Sequence, residues 1–223
     1  WLMEFNFSNR TVIVTGGTRG IGLAIVKLFE KYDANVIATG TDKNQIDELN
    51  NSRDRVNTTY KYLDFTRDES VNNFISFLKK YSRIDVLINN AGVNKIDSIH
   101  DIAINDWNLI NTINLQGPFL ITREVSKIMA PKLYGKIVNI SSIFGTVSKP
   151  KRAAYSTTKW GLIGFTKAVA LDLAGKNILV NSVSPGFIDT ELTRQILDKK
   201  ELDELVEIIP QKRLGDPNEI AKT

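Results

Sequence analysis

The sequence of 223 residues predicts an α/β fold in which helices cover both faces of a doubly wound parallel sheet. Two observations support this prediction. Short runs rich in β-branched residues alternate along the chain with longer segments in which apolar residues recur at helical spacing. Several of the short runs are almost continuously apolar, which is typical of strands that helices bury on both sides.

Six candidate strands are separated by helical segments. They are the runs 11–15, 35–39, 58–62, 85–89, 136–140 and 178–183. The helical pattern is clear in residues 21–32, 70–81 and 153–174, where apolar side chains recur on one face. Because no linker or low-complexity stretch interrupts this alternation, we expect residues 1–223 to form one domain.

Composition limits the chemistry that the chain can support. The absence of cysteine and the single histidine, His100, exclude disulfides, iron–sulfur clusters, thiol catalysis and multi-histidine metal sites. The net charge of +4 is mild, and its basic residues are dispersed apart from Lys149, Lys151 and Arg152, so small anions are favoured over nucleic acid as partners. With no apolar run of about 18 residues and no signal-peptide pattern in residues 1–5, we expect a cytoplasmic protein without a membrane partner.

A glycine-rich turn directly follows the first predicted strand and precedes a helical segment. It reads Thr15-Gly16-Gly17-Thr18-Arg19-Gly20-Ile21-Gly22. Such glycines permit a tight turn and a close approach of the backbone to a phosphate, while the free N–H groups of the following helix attract the anion. Because strand, turn and helix occur together in the first βαβ unit, dinucleotide binding is favoured over a glycine-rich turn without a ligand.

Four further motifs are in register with the glycine turn. They are Asn89-Asn90-Ala91-Gly92 with Asn114 in the next helix, Ser142, Tyr155-x-x-x-Lys159 and Pro185-Gly186. In order and spacing, and in the T-G-x-x-x-G-x-G form of the turn, the chain resembles the short-chain dehydrogenase/reductase family over nearly its whole length. The resemblance implies a sheet of the Rossmann type. Within the family, residues 141–165 are most similar to the 3-oxoacyl-[acyl-carrier-protein] reductases.

Tyr155 and Lys159 are at the centre of the predicted catalytic site. Residues four apart in a helix project from one face, and a nearby ammonium favours the phenolate and lowers the tyrosine pKa from about 10. The resemblance implies that Tyr155 donates a proton to the carbonyl oxygen, that Lys159 also binds the nicotinamide ribose, and that Ser142 hydrogen-bonds the same oxygen. It further implies that Asn114 holds a water that links Lys159 to solvent. Each residue alone could as well be a solvated or capping residue, and their common register favours catalysis.

The resemblance implies a nicotinamide cofactor, and the end of the second strand indicates which one. NAD-dependent relatives usually carry an acid there, but this chain has Gly40 followed by Thr41, with Arg19 nearby. We therefore expect NADP, with NADPH preferred over NADH; Asp42, two residues beyond, is the group that could reverse this preference. The expected cofactor residues are Gly16, Thr18, Arg19, Gly20, Ile21, Gly22, Thr41, Asp64, Phe65, Asn90, Ala91, Gly92, Tyr155, Lys159, Pro185, Gly186, Ile188 and Thr190.

Within this set, different residues serve the two ends of the dinucleotide. By the resemblance, Asp64 and Phe65 face the adenine, whereas Pro185, Gly186 and Thr190 flank the nicotinamide and the backbone of Ile188 binds its carboxamide. Asp64 could equally cap a helix that begins close behind it in the sequence.

The predicted activity is NADPH-dependent reduction of a 3-oxoacyl thioester or a similar ketone to a secondary alcohol. A sugar or polyol dehydrogenase of the same family and a non-catalytic NADPH-sensing protein are the alternatives. Lys149, Lys151 and Arg152 lie between Ser142 and Tyr155, so the substrate could be anionic or bound to a carrier protein. These cations could equally form a solvated surface.

Two further expectations concern the sheet edge and the assembly. The chain reaches Thr223 within a segment that continues in the family as a helix and a last strand, so we expect this last strand to be missing. Trp160, Phe165 and Val169 form an apolar face on the predicted helix that carries Tyr155. This face indicates either a homo-oligomer, a dimer or tetramer, or simple packing in the core.

Overall fold

A computed structural model describes residues 6–52 and 57–223; residues 1–5, where we expected no signal peptide, lie outside the described part. Within it, six strands form one sheet: β1 (Thr11–Val14), β2 (Asn35–Gly40), β3 (Thr58–Tyr62), β4 (Val86–Asn89), β5 (Gly135–Ile140) and β6 (Ile178–Val183). Their order is β3-β2-β1-β4-β5-β6, and all neighbours are parallel. The predicted doubly wound α/β fold is confirmed, and each predicted strand agrees with the structure to within one residue at either end.

Helices connect the strands and cover both faces of the sheet. They are α1 (Gly20–Lys31), α2 (Lys43–Asn51), α3 (Asp68–Leu78), α4 (Ile104–Asn111), α5 (Gly117–Met129), α6 (Ala153–Leu173), α7 (Glu191–Ile196), α8 (Lys199–Ile208) and α9 (Pro217–Ala221). A π-helical turn, Thr112–Gln116, joins α4 to α5. Helices α3, α5 and α6 pack on one face of the sheet, whereas α1, α2 and α9 pack on the other. In the part of the chain that the structure describes, no helix combines the length and the apolar character needed to cross a membrane.

The two hydrophobic cores follow from the alternation of side chains along the strands. In β1, Ile13 faces the layer that contains α3, α5 and α6, whereas Val12 and Val14 face the layer that contains α1 and α2. All three side chains are fully buried. A central strand of this sheet is therefore apolar on both sides, which explains why its sequence reads as a continuous apolar run.

The order of the strands creates a crevice at the centre of the sheet. The chain runs outward from β1 to β2 and β3 and then returns to β4, which pairs with the opposite edge of β1. The connections that leave β1 and β4 therefore diverge at the C-terminal ends of these strands, and ligands of such sheets bind at this point. The glycine-rich turn follows β1 and the segment that begins at Asn90 follows β4, so both border the crevice.

After β6 the chain forms α7, α8 and α9, and no further strand joins the free edge of β6 within the described residues. Ile188 and Gly215 form an isolated parallel bridge. Its hydrogen bonds run from the N–H of Asp189 to the carbonyl oxygen of Gly215 and from the N–H of Gly215 to that of Phe187, each at 2.9 Å. The segment that follows β6 is thereby attached to the start of α9, which packs on α1.

Candidate active site

The turn between β1 and α1 brings the backbone into the central crevice. Gly16 has a φ of +64° and Gly20 a φ of +52°, a left-handed conformation that is costly for other residues. A Cβ atom on Gly22 would lie 2.0 Å from the carbonyl oxygen of Gly16 and 2.5 Å from Nδ2 of Asn90. No side chain of the described residues caps α1. The turn therefore requires glycine and leaves the N-terminus of α1 available to an anion.

Asn90 joins this turn to the end of β4. Its Nδ2 donates to the carbonyl oxygens of Thr15 at 3.0 Å and Gly16 at 2.9 Å. Oγ1 of the buried Thr15 in turn accepts from the N–H groups of Asn90 at 3.0 Å and Ala91 at 3.1 Å. These bonds fix the two connections on either side of the crevice relative to each other. Thr15 was not among the predicted site residues, although it begins the glycine motif.

One cleft along the C-terminal edge of the sheet contains nearly all the residues that the sequence predicts. Ser142, Tyr155 and Lys159 line it together with all the predicted cofactor residues apart from Gly22, which packs behind Gly16. Asn114 lies behind the wall of the cleft. The cleft is also lined by residues that the sequence did not indicate, including Leu63, Val93, Asn94, Ile140, Phe144, Phe187 and Leu192.

The end of the cleft next to β2 carries the features relevant to the choice of cofactor. Gly40 and Thr41 line it, and a Cβ atom on Gly40 would lie 2.5 Å from Cγ2 of Thr18. Arg19 also lines the cleft; its exposed guanidinium lies 3.8 Å from the exposed carboxylate of Glu191. Solvent weakens such a contact, so Arg19 can turn toward another anion.

Two acidic residues near this end are engaged by hydrogen bonds of their own segments. Asp42 is the N-cap of α2, and its Oδ1 accepts from two backbone N–H groups of the first turn at 2.9 and 3.2 Å. Asp64 lines the cleft, and its Oδ1 accepts from the N–H of Thr66 at 2.9 Å and from its Oγ1 at 2.6 Å. The N-cap of α3 is Arg67, so the alternative in which Asp64 caps this helix is wrong.

Lys159 extends from α6 to the end of β5. Its Nζ donates to the carbonyl oxygen of Ile140 at 2.8 Å and lies 5.6 Å from the centre of the Tyr155 ring. Lys159 is 4% exposed, and this burial lowers its pKa to about 8. The side chain therefore exchanges a proton within reach of neutral pH, unlike an exposed lysine.

The pKa of Tyr155 is shifted in the direction opposite to our expectation. Burial raises it above the usual value, whereas the Ser142 hydroxyl and the positive charge of Arg152 lower it by smaller amounts. The ammonium that we expected to lower it belongs to Lys159, which is bonded to a backbone carbonyl instead. The expected lowering is therefore wrong, and Tyr155 is a protonated phenol at neutral pH.

The two serines after β5 differ in the direction of their hydroxyl groups. Oγ of Ser141 donates to the carbonyl oxygen of Lys159 at 3.1 Å, so its proton is used within the protein. Oγ of the buried Ser142 accepts from the N–H of Phe144 at 3.2 Å. Since this bond uses a lone pair of Ser142 and leaves the hydroxyl proton, Ser142 can donate a hydrogen bond into the cleft.

Asn114 lies in the π-helical turn and is fully buried. Its Oδ1 accepts from the N–H of Val93 at 2.8 Å, and its Nδ2 donates to the carbonyl oxygen of Val93 at 2.8 Å and to Oγ1 of Thr158 at 3.3 Å. The water that the resemblance implies at Asn114 stays a prediction, and these bonds show a structural task of the amide. It fixes the wall of the cleft at Val93, close to Lys159. π-Helical turns of this kind are common at functional sites.

An aromatic wall stands next to Tyr155. The ring of Phe144 packs edge to face with Tyr155, with 6.3 Å between centres, and with Phe187 at 5.8 Å. The guanidinium of Arg152 lies 5.7 Å from the centre of Phe144, and Nζ of Lys149 lies 5.5 Å from that of Phe187. These two aromatic residues were not among the predicted site residues, although their closeness to the motifs could have indicated them. Phe144 comes two positions after Ser142, and Phe187 directly follows the Pro-Gly pair.

This arrangement joins a turn suited to a pyrophosphate with a tyrosine, a lysine and a serine in one cleft, as in nucleotide-dependent oxidoreductases. A family model for short chain dehydrogenases matches residues 10–201. Because the match covers most of the sequence, the chain belongs to the short chain dehydrogenase family and is an oxidoreductase. The resemblance predicted from the motifs is thereby confirmed.

Individual relatives agree with this assignment over almost the whole chain. The chain is 38% identical to the 3-oxoacyl-[acyl-carrier-protein] reductase FabG of Aquifex aeolicus over 224 residues, which cover 98% of this chain and 90% of the relative. Among solved structures, it is similar to ElxO with NADP bound, at 34% identity and a TM-score of 0.87, with 96% of this chain and 88% of that chain covered. It is also similar to a variant of actinorhodin polyketide ketoreductase with NADPH, at 29% identity and a TM-score of 0.87, covering 96% and 87% of the two chains.

Proposed function

We propose that the chain uses NADPH to reduce a carbonyl compound, a 3-oxoacyl thioester or a similar ketone, to a secondary alcohol. The observation that carries this proposal is that Ser142, Tyr155 and Lys159 line the same cleft as the glycine turn. The name of the Aquifex aeolicus relative supports reduction and a substrate bound to a carrier protein, and the two solved structures with NADP or NADPH support the cofactor.

NADPH, when bound, supplies a hydride to the carbonyl carbon. The glycine turn and the N-terminus of α1 would hold its pyrophosphate, because Gly16 and Gly20 line the cleft and no side chain of the described residues caps the helix. Asp64 and Phe65 would border the adenine, and Ile188 and the residues beside it would border the nicotinamide. Lys159 would hold the nicotinamide ribose.

The preference for NADPH over NADH is supported by the positions of the charges. The strand β2 ends in Gly40, so no carboxylate at this position repels a 2′-phosphate. The carboxylate of Asp42 is engaged by the first turn of α2. Thr41 and Arg19 line this end of the cleft and would donate hydrogen bonds to the phosphate.

The proton comes from Tyr155 in this proposal. Since burial raises the pKa of its phenol, Tyr155 is protonated at neutral pH and can act as the acid that protonates the carbonyl oxygen as the hydride reaches the carbon. Ser142 donates a hydrogen bond to the same oxygen and stabilises the negative charge that develops on it. Lys159, with a pKa of about 8, restores the proton of Tyr155. Asn114 is a positioning residue that keeps Val93 and the adjoining wall in place.

The decisive variant is Tyr155→Phe, assayed by the oxidation of NADPH with an acetoacetyl thioester. General acid catalysis typically contributes about 100-fold or more, so kcat is expected to fall at least that much while the dissociation constant of NADPH is retained. Tyr134→Phe is the matched control, because Tyr134 stacks on Arg10 at the opposite end of the sheet. Turnover close to that of the unmodified enzyme in Tyr155→Phe would contradict the mechanism. Binding of NADPH without turnover of any ketone, keto-sugar or polyol would favour a sensing protein.

We also propose that the chain forms a homo-oligomer, a dimer or tetramer. Trp160 on α6 is 53% exposed, and the exposed Phe119 on α5 packs edge to face with Phe165 at 6.3 Å. These aromatic residues offer an apolar surface to a second copy. Val169 packs against the core, so the face considered from the sequence divides between surface and interior.

A further inference from the structure

We propose that Arg152 binds an anionic group of the substrate, so that the ketone reduced in this cleft is an oxo acid whose carboxylate lies close to the reacting carbonyl. This inference rests on the proposed function and narrows it: among the ketones that this cleft is proposed to reduce, it selects oxo acids over neutral thioesters. Of the three cations between Ser142 and Tyr155, the inference assigns anion binding to Arg152. Arg152 lines the cleft, whereas the exposed Lys151 lies outside its wall.

Arg152 is a buried charge that forms no salt bridge with a carboxylate of the described residues. It is 4% exposed, and its Nε finds no hydrogen-bond partner among the described residues. Its Nη1 donates to the carbonyl oxygen of Lys151 at 3.4 Å. Burial lowers the pKa of Arg152, and two groups act against this effect: first the Tyr155 phenol and then Glu201, which is exposed and caps α8 together with Asp198. A guanidinium stays protonated, so burial without an anion is unfavourable and a bound carboxylate would compensate it.

The end of the cleft near Tyr155 is positively charged as a whole. Arg152 and Lys159 are both buried there. Among the described residues, the acids that line the cleft are Asp64, at the adenosine end, and the exposed Glu191 near Arg19. Neither of these acids neutralises the two buried cations. An anionic substrate would therefore complement the charge that this end of the cleft presents.

The geometry also indicates the distance between the carboxylate and the ketone. Arg152 is the N-cap of α6 and comes three positions before Tyr155. Both contact the ring of Phe144, the guanidinium at 5.7 Å and the tyrosine ring at 6.3 Å between centres. A carboxylate at Arg152 and a carbonyl oxygen at Tyr155 would be separated by a few bonds, as in 2-oxo and 3-oxo acids. The planar guanidinium suits the two oxygens of a carboxylate.

The test compares ketones that share one skeleton and differ in charge. Acetoacetate carries the carboxylate, ethyl acetoacetate replaces it with a neutral ester, and the acetoacetyl thioester of N-acetylcysteamine replaces it with a neutral thioester. With the unmodified enzyme, kcat/KM is expected to be highest for acetoacetate. In Arg152→Gln the ratio of kcat/KM for acetoacetate to that for ethyl acetoacetate is expected to fall about 10- to 100-fold, the range of a charge-assisted hydrogen bond.

Matched variants separate anion binding from a structural role. Lys151→Gln removes a neighbouring exposed cation and is expected to leave the ratio unchanged, whereas Arg152→Lys, which keeps the charge, is expected to restore part of it. The dissociation constant of NADPH reports whether each variant retains a folded cofactor site. The ratio of kcat/KM for acetoacetate to that for ethyl acetoacetate is measured within one variant. An effect of Arg152 on Tyr155 that changes both rates equally therefore does not change the ratio.

Three outcomes would overturn the inference: a higher kcat/KM for the ester or thioester than for acetoacetate, an unchanged ratio in Arg152→Gln, or the same loss in Lys151→Gln. Direct binding separates a failure of this inference from a failure of the proposed function. Calorimetry of the enzyme with NADP⁺ measures the binding of acetoacetate and of the ester without turnover. Lack of turnover with every ketone would contradict the proposed function alone, whereas equal binding of acid and ester would contradict the role of Arg152.

Discussion

Replacing Lys159 with methionine measures how much folding free energy the protein loses by burying the Lys159 ammonium beside Tyr155. Burial lowers the pKa of Lys159 from 10.5 to about 8. This difference corresponds to about 3 kcal/mol of folding free energy at neutral pH, since one pKa unit is about 1.4 kcal/mol. Between pH of about 8 and 10.5 the unfolded chain binds the proton that the folded chain has lost, so stability rises with pH there. The full cost is present below about pH 8.

Methionine removes the buried charge but also removes the donor of a hydrogen bond. The carbonyl oxygen of Ile140, which accepts from Nζ at 2.8 Å, would lose this partner at a cost of about 1–2 kcal/mol at any pH. We therefore expect Lys159→Met to be more stable than the unmodified protein by about 1–2 kcal/mol at pH 7. This advantage should decrease by about 3 kcal/mol, and so reverse in sign, as the pH rises to 10.5.

Urea unfolding of both proteins at several pH values between 7 and 10.5 measures this difference. Lys167→Met removes an exposed lysine from the same helix and controls for the general effect of the substitution. The reasoning would be refuted by a difference in unfolding free energy that stays constant over this range. The same variant is expected to lose both turnover and NADPH affinity, because the proposal gives its ammonium two tasks.

The remaining predictions concern the cofactor and the assembly. We expect a higher kcat/KM with NADPH than with NADH, and a reversed order in Gly40→Asp combined with Thr18→Ala, which removes the Cγ2 that would lie 2.5 Å from the new Cβ. Steady-state rates with both cofactors measure this preference, and Thr18→Ala alone is the control. A preference of the unmodified enzyme for NADH would contradict the prediction and show that Asp42 reaches the ribose. Light scattering is expected to give the mass of a dimer or tetramer, and Trp160→Glu to reduce it. A monomer before substitution would contradict the proposed assembly.

The strands could be predicted because burial on both faces leaves a strong local signal. β1 contains only apolar side chains between Val12 and Val14, and the glycine turn marks its end. The convergence of the motifs could be predicted as well, since the C-terminal ends of parallel strands meet at one edge. Gly16, Asn90 and Ser142 are far apart in sequence, yet each lies one or two residues after the end of a strand of the sheet.

The electrostatics of the site could not be predicted in the same way. The spacing of Tyr155 and Lys159 places both on one face of α6, but the pKa of the tyrosine depends on how deeply the surrounding loops bury it. Likewise, the sequence shows Lys149, Lys151 and Arg152 as one basic group, whereas packing buries Arg152 and leaves the other two exposed. Burial of a single side chain depends on contacts between distant segments, and a local pattern does not contain them.

The bridge between Ile188 and Gly215 has a consequence for how substrate specificity can vary in this fold. Residues 189–214 leave the body of the protein at this bridge and return to it, so α7 and α8 form an excursion with both ends pinned at one place. Leu192 and Ile196 of this excursion line the cleft, while Ile188 stays attached to the start of α9. Substitutions or insertions within the excursion would therefore reshape this side of the cleft and leave in place the backbone at Ile188, where we propose that the nicotinamide binds.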